Sequence, residues 1–293
     1  MIFDGVFVKA LVRAFRAAGI KTLADVQHVT FELRTEIWNK FIKGADPRQE
    51  KMRKRIAATF KRQFAEVLEN VKNNPPSEKA YRFKADGDLT DEQLRFINLW
   101  LFNKDQWRKE FQDAALPEIT GALQFGGADL FATLGIIEEF VTDAATKKFL
   151  REHVFTFAKE IGQTSTDKLT ATFIDALRAG ESRDEIMARV SSVMTNATEY
   201  RSKMIAQTEI IGAINKGSLE GCKQSGVVWG NQWIGALDER IRESHERLTI
   251  SGAAVALGEK FDIGCEYPGD QSGPAGEVIS CRCAMKPLTE KPK

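Results

Sequence analysis

Apolar residues recur at steps of three and four positions along much of the chain up to about residue 225, a spacing typical of amphipathic helices. The clearest stripe predicts a helix over about 48–72. The segment from Asn73 to Ser77 contains two consecutive prolines, which cannot continue a helix, and it therefore predicts a linker near 73–89. The stripe consists of Met52, Ile56, Phe60, Phe64, Val67, Leu68 and Val71.

Capping patterns and glycines predict where other helices begin and end. Thr90 and Gln93 form a capping box, so we expect a helix from there to about residue 112. Thr164 is expected to begin another helix, and Gly126-Gly127 is expected to interrupt one. The residues predicted to be buried in the helix after Thr90 are Leu94, Ile97, Trp100 and Leu101.

The pattern changes after Gly226, where β-branched and aromatic residues replace the helical stripe. Residues 227–234 are predicted to form a strand, 238–248 a short charged helix, and 278–288 a second strand. The predicted fold class is therefore α+β, with a mostly helical N-terminal region followed by a small C-terminal α+β domain.

The length of 293 residues exceeds the size at which one hydrophobic core usually stops growing, so two domains are expected, over 1–163 and 164–293. No apolar stretch approaches the roughly 20 residues of a membrane span, so none is predicted. The N-terminus lacks the basic and apolar pattern of a secretory signal. We expect the protein to stay in the cell that makes it or to leave inside a larger particle.

Charge is distributed unevenly along the chain. Residues 1–84 carry 18 Lys and Arg against 9 Asp and Glu, whereas residues 85–293 carry 24 against 32. The basic part predicts a partner of opposite charge, either double-stranded DNA or an acidic protein surface, although a solvated helix face would show the same pattern. The candidate docking residues on the 48–72 helix are Arg48, Lys51, Arg53, Lys54, Arg55, Lys61 and Arg62.

Four short motifs carry the most specific signal in the sequence. In chain order they are Ala206-Gln207-Thr208-Glu209 with Asn215 and Gly217, the stretch 233–245 ending in Asp-x-Arg-x-Arg-x-x-His, Tyr267-Pro268-Gly269-Asp270, and Ser280-Cys281-Arg282-Cys283. Together they resemble the phage Mu F-like head morphogenesis family of minor capsid proteins. The resemblance covers about residues 164–288.

The resemblance implies a minor head protein of a phage or prophage, present in few copies and acting in procapsid morphogenesis. Its implied partners are the portal protein, capsid and scaffold proteins, and packaged DNA. Its implied location is the capsid interior at the portal vertex, after assembly in the host cytoplasm. The resemblance implies a head assembly role and no settled reaction, so we expect no catalytic residues.

A cluster of charged side chains in the second motif allows two interpretations. If 238–248 is helical, Asp238 and Arg242 lie one turn apart and form an ion pair beside His245. The network is expected to be structural and to fix this helix to the loops that contain Asp270 and Arg282. The alternative is a hydrolase or nuclease-like site, in which Asp238 and Arg240 assist His245 as a general base. A DNA-binding packaging factor acting through the basic helix is a third hypothesis.

Three cysteines and one histidine lie close together in the C-terminal sequence. His245, Cys265, Cys281 and Cys283 could supply the ligands of a structural zinc site. The sequence favours no cofactor, because Cys-x-Cys is tighter than the usual ligand spacing and alternate residues of a strand point to opposite faces. Cys281 and Cys283 are therefore expected to point apart.

Overall fold

The computed structural model describes residues 23–75, 90–235 and 238–291. In this part of the chain the helices α1 to α5 come first, and a smaller unit of strands and short helices follows. The first helices are α1 (Leu23–Asn73), α2 (Asp91–Trp100), α3 (Lys104–Leu134), α4 (Ala144–Arg178) and α5 (Arg183–Ser225). The smaller unit contains β1 (Gly230–Ile234), α6 (Glu243–Ser251), β2 (Ala254–Ala256), α7 (Ala275–Val278) and β3 (Ala284–Leu288). The predicted α+β class is confirmed.

Helix α1 begins well before the predicted start near residue 48. It runs through Pro47, although a proline removes one backbone hydrogen bond from a helix interior. The segment before this proline packs on the main core through Phe41, Ile42 and Ala45, and this burial compensates for the lost bond. The helix ends at Asn73. The part of the predicted linker that follows Pro75 lies outside the described residues.

The single helix predicted from Thr90 to about residue 112 is two helices. The capping box of Thr90 and Gln93 is present, but α2 ends at Trp100. The side chain of Asn103 accepts hydrogen bonds from the first backbone amides of α3 and so starts a new helix. Leu94, which was expected to be buried, is 41% exposed.

Gly126-Gly127 does not interrupt α3, and this prediction was wrong. A Cβ atom on Gly126 would lie 2.0 Å from the carbonyl oxygen of Ile214 in α5, and one on Gly217 in α5 would lie 1.8 Å from the carbonyl oxygen of Leu123. The two helices therefore touch backbone to backbone, and glycine is required by their close approach.

Thr164 also lies inside a helix instead of starting one. It is in the middle of α4, and its hydroxyl donates to the carbonyl oxygen of Glu160 one turn earlier. The predicted division of the chain at 163/164 falls within this helix. One large core draws buried apolar residues from both sides of that position, from α1, α3, α4 and α5.

The C-terminal unit is built on a three-stranded antiparallel sheet in the order β2-β1-β3. Gly230 pairs with Ala256 on one side and with Leu288 on the other. Strand β2 was missed, and the predicted strand 278–288 is shorter because Ser280 adopts a positive φ of 58° and turns the chain. Among the described helices, none combines the length and the apolar character that crossing a membrane requires.

Candidate functional site

Helix α5 presents the first motif directly to the last one. The side chain of Gln207 donates to the carbonyl oxygen of Ser280 over 2.7 Å, and the hydroxyl of Thr208 accepts from the amide of Ser280 over 2.9 Å. These two bonds hold the residue whose positive φ turns the chain between α7 and β3. The first motif thus fixes the backbone that precedes Cys281.

Asn215 connects α5 to two further segments. Its side chain is fully buried, and Nδ2 lies within 3.0 Å of the carbonyl oxygens of both Pro268 and Cys283. Its Oδ1 accepts from the amide of Met285 over 3.1 Å. One side chain therefore satisfies backbone groups in the third motif, in the fourth motif and at the start of β3.

The third motif is a tight turn against α5. Gly269 has a φ of 81°. A Cβ on Gly212 of α5 would lie 2.7 Å from the carbonyl oxygen of Gly269. Asp270 is buried and accepts from the amides of Glu266 and Ser272 over 2.8 and 2.9 Å. Asp270 therefore shapes its own loop, and its hydrogen bonds do not join it to the charged cluster that the sequence suggested.

Asp238 and Arg242 do not form the predicted ion pair, because residues 238–242 are a turn and α6 begins at Glu243. Asp238 instead makes a bidentate pair with Arg282, with distances of 2.8 and 2.9 Å. Arg240 lies 3.5 Å from the same carboxylate. Arg242 donates to the carbonyl oxygen of Ile279. Arg282 thus attaches the turn to the fourth motif, and Arg242 attaches it to the residue just before that motif.

The Asp238–Arg282 pair predicts a pH dependence. The hydrogen bonds from Arg282 hold the pKa of Asp238 well below its usual value, so the pair stabilises the fold above about pH 4 and this contribution is lost as the pH falls further. Because the carboxylate is 38% exposed, Asp238→Asn should cost only about 1 kcal/mol at pH 7. Thermal melting should show this difference at pH 7 and a smaller one at pH 3. An equal difference at both pH values would contradict the assignment.

His245 lies between two cysteines and a carboxylate. Its side chain is buried, with Nδ1 3.3 Å from Sγ of Cys283 and 4.0 Å from Sγ of Cys281. On the other edge of the ring, Nε2 lies 2.9 Å from Oε2 of Glu277, an ion-pair distance without hydrogen-bond geometry. Nothing in the sequence pattern singled out Glu277.

The two cysteines do not point apart as expected. β3 begins only at Ala284, so the alternation of a strand does not apply to Cys281 and Cys283, and both sulfur atoms face His245. The hydrogen bond from Cys283 and the neighbouring imidazole hold the pKa of Cys281 below its usual value. Cys265 is buried but lies outside this group, and burial raises its pKa to about 12.

Among the described residues, no hydrogen bond or ion pair joins His245 to Asp238 or Arg240, the other two residues of the hydrolase hypothesis. His245 contacts Cys283 and Glu277, whereas Asp238 is held by Arg282 and Arg240. A cavity bordered by His245, Arg240 and Arg282 measures about 20 Å³, which is room for roughly one water molecule.

The candidate docking residues on α1 are mostly engaged within the protein. Lys51 and Arg55 both contact Glu118, whose side chain is only 5% exposed, at 3.2 and 2.7 Å. These two cations therefore balance a buried charge. The remaining contacts join Arg53 and Lys54 to Glu50, Arg62 to Glu110, and Arg48 to the carbonyl oxygen of Gly44.

A buried histidine–glutamate pair was missed by the sequence analysis. His153 in α4 lies 2.5 Å from Glu209, the last residue of the first motif. Burial lowers the pKa of His153, but the hydrogen bond and charge of Glu209 outweigh it, so the pKa is raised. The sequence indicated only one member of this pair, because Glu209 belongs to the first motif and His153 to none.

Comparison with known proteins supports this grouping of motifs. Residues 167–286 match the family described as Phage Mu protein F like protein. The chain is also 28% identical over 152 residues to the NAD(+)--arginine ADP-ribosyltransferase EFV of Enterococcus faecalis (strain ATCC 700802 / V583). That match covers 50% of this chain but only 30% of the relative. No solved structure matches the chain.

The family match includes all four motifs and begins close to the predicted domain start at residue 164. The division of the chain at 163/164 itself stays a prediction, since α4 passes through it. The resemblance seen in the sequence is confirmed, because residues 167–286 of this chain match the Mu F-like family of phage proteins.

Proposed function

We propose that the protein is a minor head protein that acts in procapsid morphogenesis, bound to the portal and to the capsid interior. The observation that supports this role best is that the motif side chains bind one another. Asn215 and Thr208 hold the backbone of the third and fourth motifs, and Arg282 holds Asp238. Residues arranged in this way build a rigid module for assembly, and they are not free to act on a substrate.

The same observation argues against an enzymatic role for this chain. The hydrolase or nuclease hypothesis needs Asp238 and Arg240 beside His245, whereas Asp238 is held by Arg282 and His245 lies against Glu277. The ADP-ribosyl transfer named for the Enterococcus protein is not carried over, because the match covers only 30% of that protein. Our proposal is that the motifs are structural and that the function is binding.

The docking surface is proposed to be the exposed edge of α1. Arg55 and Lys51 neutralise the buried Glu118, so they are unsuitable as free docking groups. Lys54 is 70% exposed and makes only a long ion pair of 3.5 Å, and Lys61 is also exposed. Lys61 borders a groove of about 440 Å³ between α1 and α5, and Lys54 lies seven positions earlier on α1. We propose an acidic surface of the portal protein as the partner.

Copurification with the phage's own portal protein tests this proposal. The double variant Lys54→Glu/Lys61→Glu should keep its melting temperature, because both side chains are exposed, and should copurify with much less portal. The matched control is Lys147→Glu/Lys148→Glu on α4, where both lysines are exposed and Lys148 has a similar long ion pair of 3.7 Å. Equal portal binding by the wild type and both variants would rule out this surface.

DNA is the other outcome that the same variants can reveal. If the exposed lysines contact phosphates, binding to a DNA duplex should weaken by about 0.9 log units per contact for each tenfold rise in salt. The Lys54→Glu/Lys61→Glu variant should then show a smaller salt slope than the control. If the variant bound DNA more weakly and still bound the portal protein as the wild type does, that result would favour a DNA-packaging factor over a portal-bound head protein.

A further inference from the structure

The chemistry of the cluster formed by His245, Cys281 and Cys283 is not used by the proposed assembly role. One nitrogen and two sulfur atoms from these side chains lie within 4.8 Å of one another. All three residues are buried, with at most 3% of their surface exposed. They come from separate segments, α6 and the turn before β3, so the fold itself brings the three potential ligands together.

The distances in this cluster fit a tetrahedral metal centre. Zinc–sulfur bonds of about 2.3 Å and zinc–nitrogen bonds of about 2.05 Å place the nitrogen about 3.6 Å from each sulfur at a tetrahedral angle. The observed distances from Nδ1 of His245 are 3.3 Å to Cys283 and 4.0 Å to Cys281, one on each side of that value. Two thiolates and one imidazole are donors that favour zinc over magnesium or calcium.

The other edge of the imidazole is arranged as in metal sites. A histidine that binds a metal through one nitrogen usually presents its second nitrogen to a carboxylate, which fixes the ring. Here Nε2 lies 2.9 Å from Oε2 of Glu277, at an ion-pair distance without hydrogen-bond geometry, and the same oxygen accepts from the hydroxyl of Ser244 over 2.8 Å. Nδ1 is therefore the nitrogen that faces the two sulfur atoms and is available to bind a metal.

We propose that His245, Cys281 and Cys283 bind one zinc ion, with Glu277 as the positioning residue of the imidazole. Cys265, which the sequence included, is not a ligand because it lies outside the group. The adjacent cavity of about 20 Å³ has room for one water molecule, which would be the fourth ligand. The ion would join α6 to the turn before β3. The thiolates of Cys281 and Cys283 would balance the charge of the buried ion.

Zinc content measured by elemental analysis tests the ligand set. Protein purified without chelators should hold about one zinc per chain, and Cys281→Ser and Cys283→Ser should hold almost none. Cys222→Ser and Cys265→Ser are matched controls, since both remove a buried thiol outside the cluster, and both should keep the metal. Zinc near zero in the wild type, or equal losses in all four variants, would overturn the proposal.

A second measurement separates metal binding from misfolding. Glu277→Gln keeps the shape of the side chain and should weaken zinc affinity about 10–100-fold in a competition titration with a chromogenic chelator. The exposed Glu259→Gln serves as control and should bind as the wild type does. Cobalt added to the wild-type apoprotein should give the absorption of a tetrahedral thiolate complex. Unchanged affinity in Glu277→Gln would refute its positioning role, and no cobalt–thiolate absorption would refute the site.

Discussion

Gly126→Ala is expected to destabilise the protein by about 3 kcal/mol, near the upper end of the usual cost of overpacking. The added Cβ would lie 2.0 Å from the carbonyl oxygen of Ile214, and a backbone atom in a helix cannot move aside as a side chain can. The helices α3 and α5 would have to separate along an interface that also carries Gly217. Urea denaturation followed by circular dichroism measures the effect, and Gly217→Ala should behave in the same way.

Gly121→Ala is the matched control, because it makes the same substitution in the same helix. A Cβ on Gly121 meets no atom within 4 Å, so the substitution should stabilise the protein by about 0.4–1 kcal/mol through a less flexible unfolded chain. Opposite signs for Gly121→Ala and Gly126→Ala would show that close helix contact fixes the glycine. A similar small change in both variants would contradict the packing described for α3 and α5.

Asn215→Leu should have an effect of similar or greater size. The substitution leaves the carbonyl oxygens of Pro268 and Cys283 and the amide of Met285 without their partner, in a buried place. A buried unpaired group costs about 1–3 kcal/mol, so we expect a loss of about 3–5 kcal/mol after partial relaxation. Limited proteolysis should show cleavage in the segment around 264–288 before α3 or α5 is cut.

Asn231→Leu is the control for Asn215→Leu, because it makes the same substitution at a buried asparagine that has no hydrogen-bond partner in the described residues. Asn231 is fully buried on the central strand β1, and within the described residues its side-chain oxygen and nitrogen have no hydrogen-bond partner. Replacing an unsatisfied buried amide with an apolar group of similar size should be neutral or stabilise the fold by about 1 kcal/mol. If both asparagine variants lost the same stability, the specific role assigned to Asn215 would be wrong.

Local patterns in the sequence predicted the features that depend on neighbouring residues. The capping box at Thr90 is present, and most of the apolar stripe of α1 is buried. Gly126 was misread because a glycine that ends a helix and one that allows close packing look identical without the partner helix. The partner here is α5, about 90 positions away.

The candidate site was predicted only as a set of motifs. The network was expected to reach the loop that contains Arg282, but spacing favoured Arg242 as the partner of Asp238, since the contact with Arg282 spans 44 positions. The convergence of Cys281 and Cys283 on His245 depends on the turn at Ser280, which two side chains of α5 hold in place. Such contacts are decided by tertiary structure, and spacing along one element cannot reveal them.

The indole nitrogen of Trp38 donates to the carbonyl oxygen of Arg282 over 2.8 Å, across 244 positions of sequence. During synthesis the first half of α1 is therefore made long before the segment on which it rests. Contacts of such high sequence separation form late and slow the folding of a chain. In a nascent or truncated chain that lacks the fourth motif, Trp38 has no Arg282 to bind, so the first half of α1 lacks this contact. Such a chain would be a substrate for chaperones and proteases.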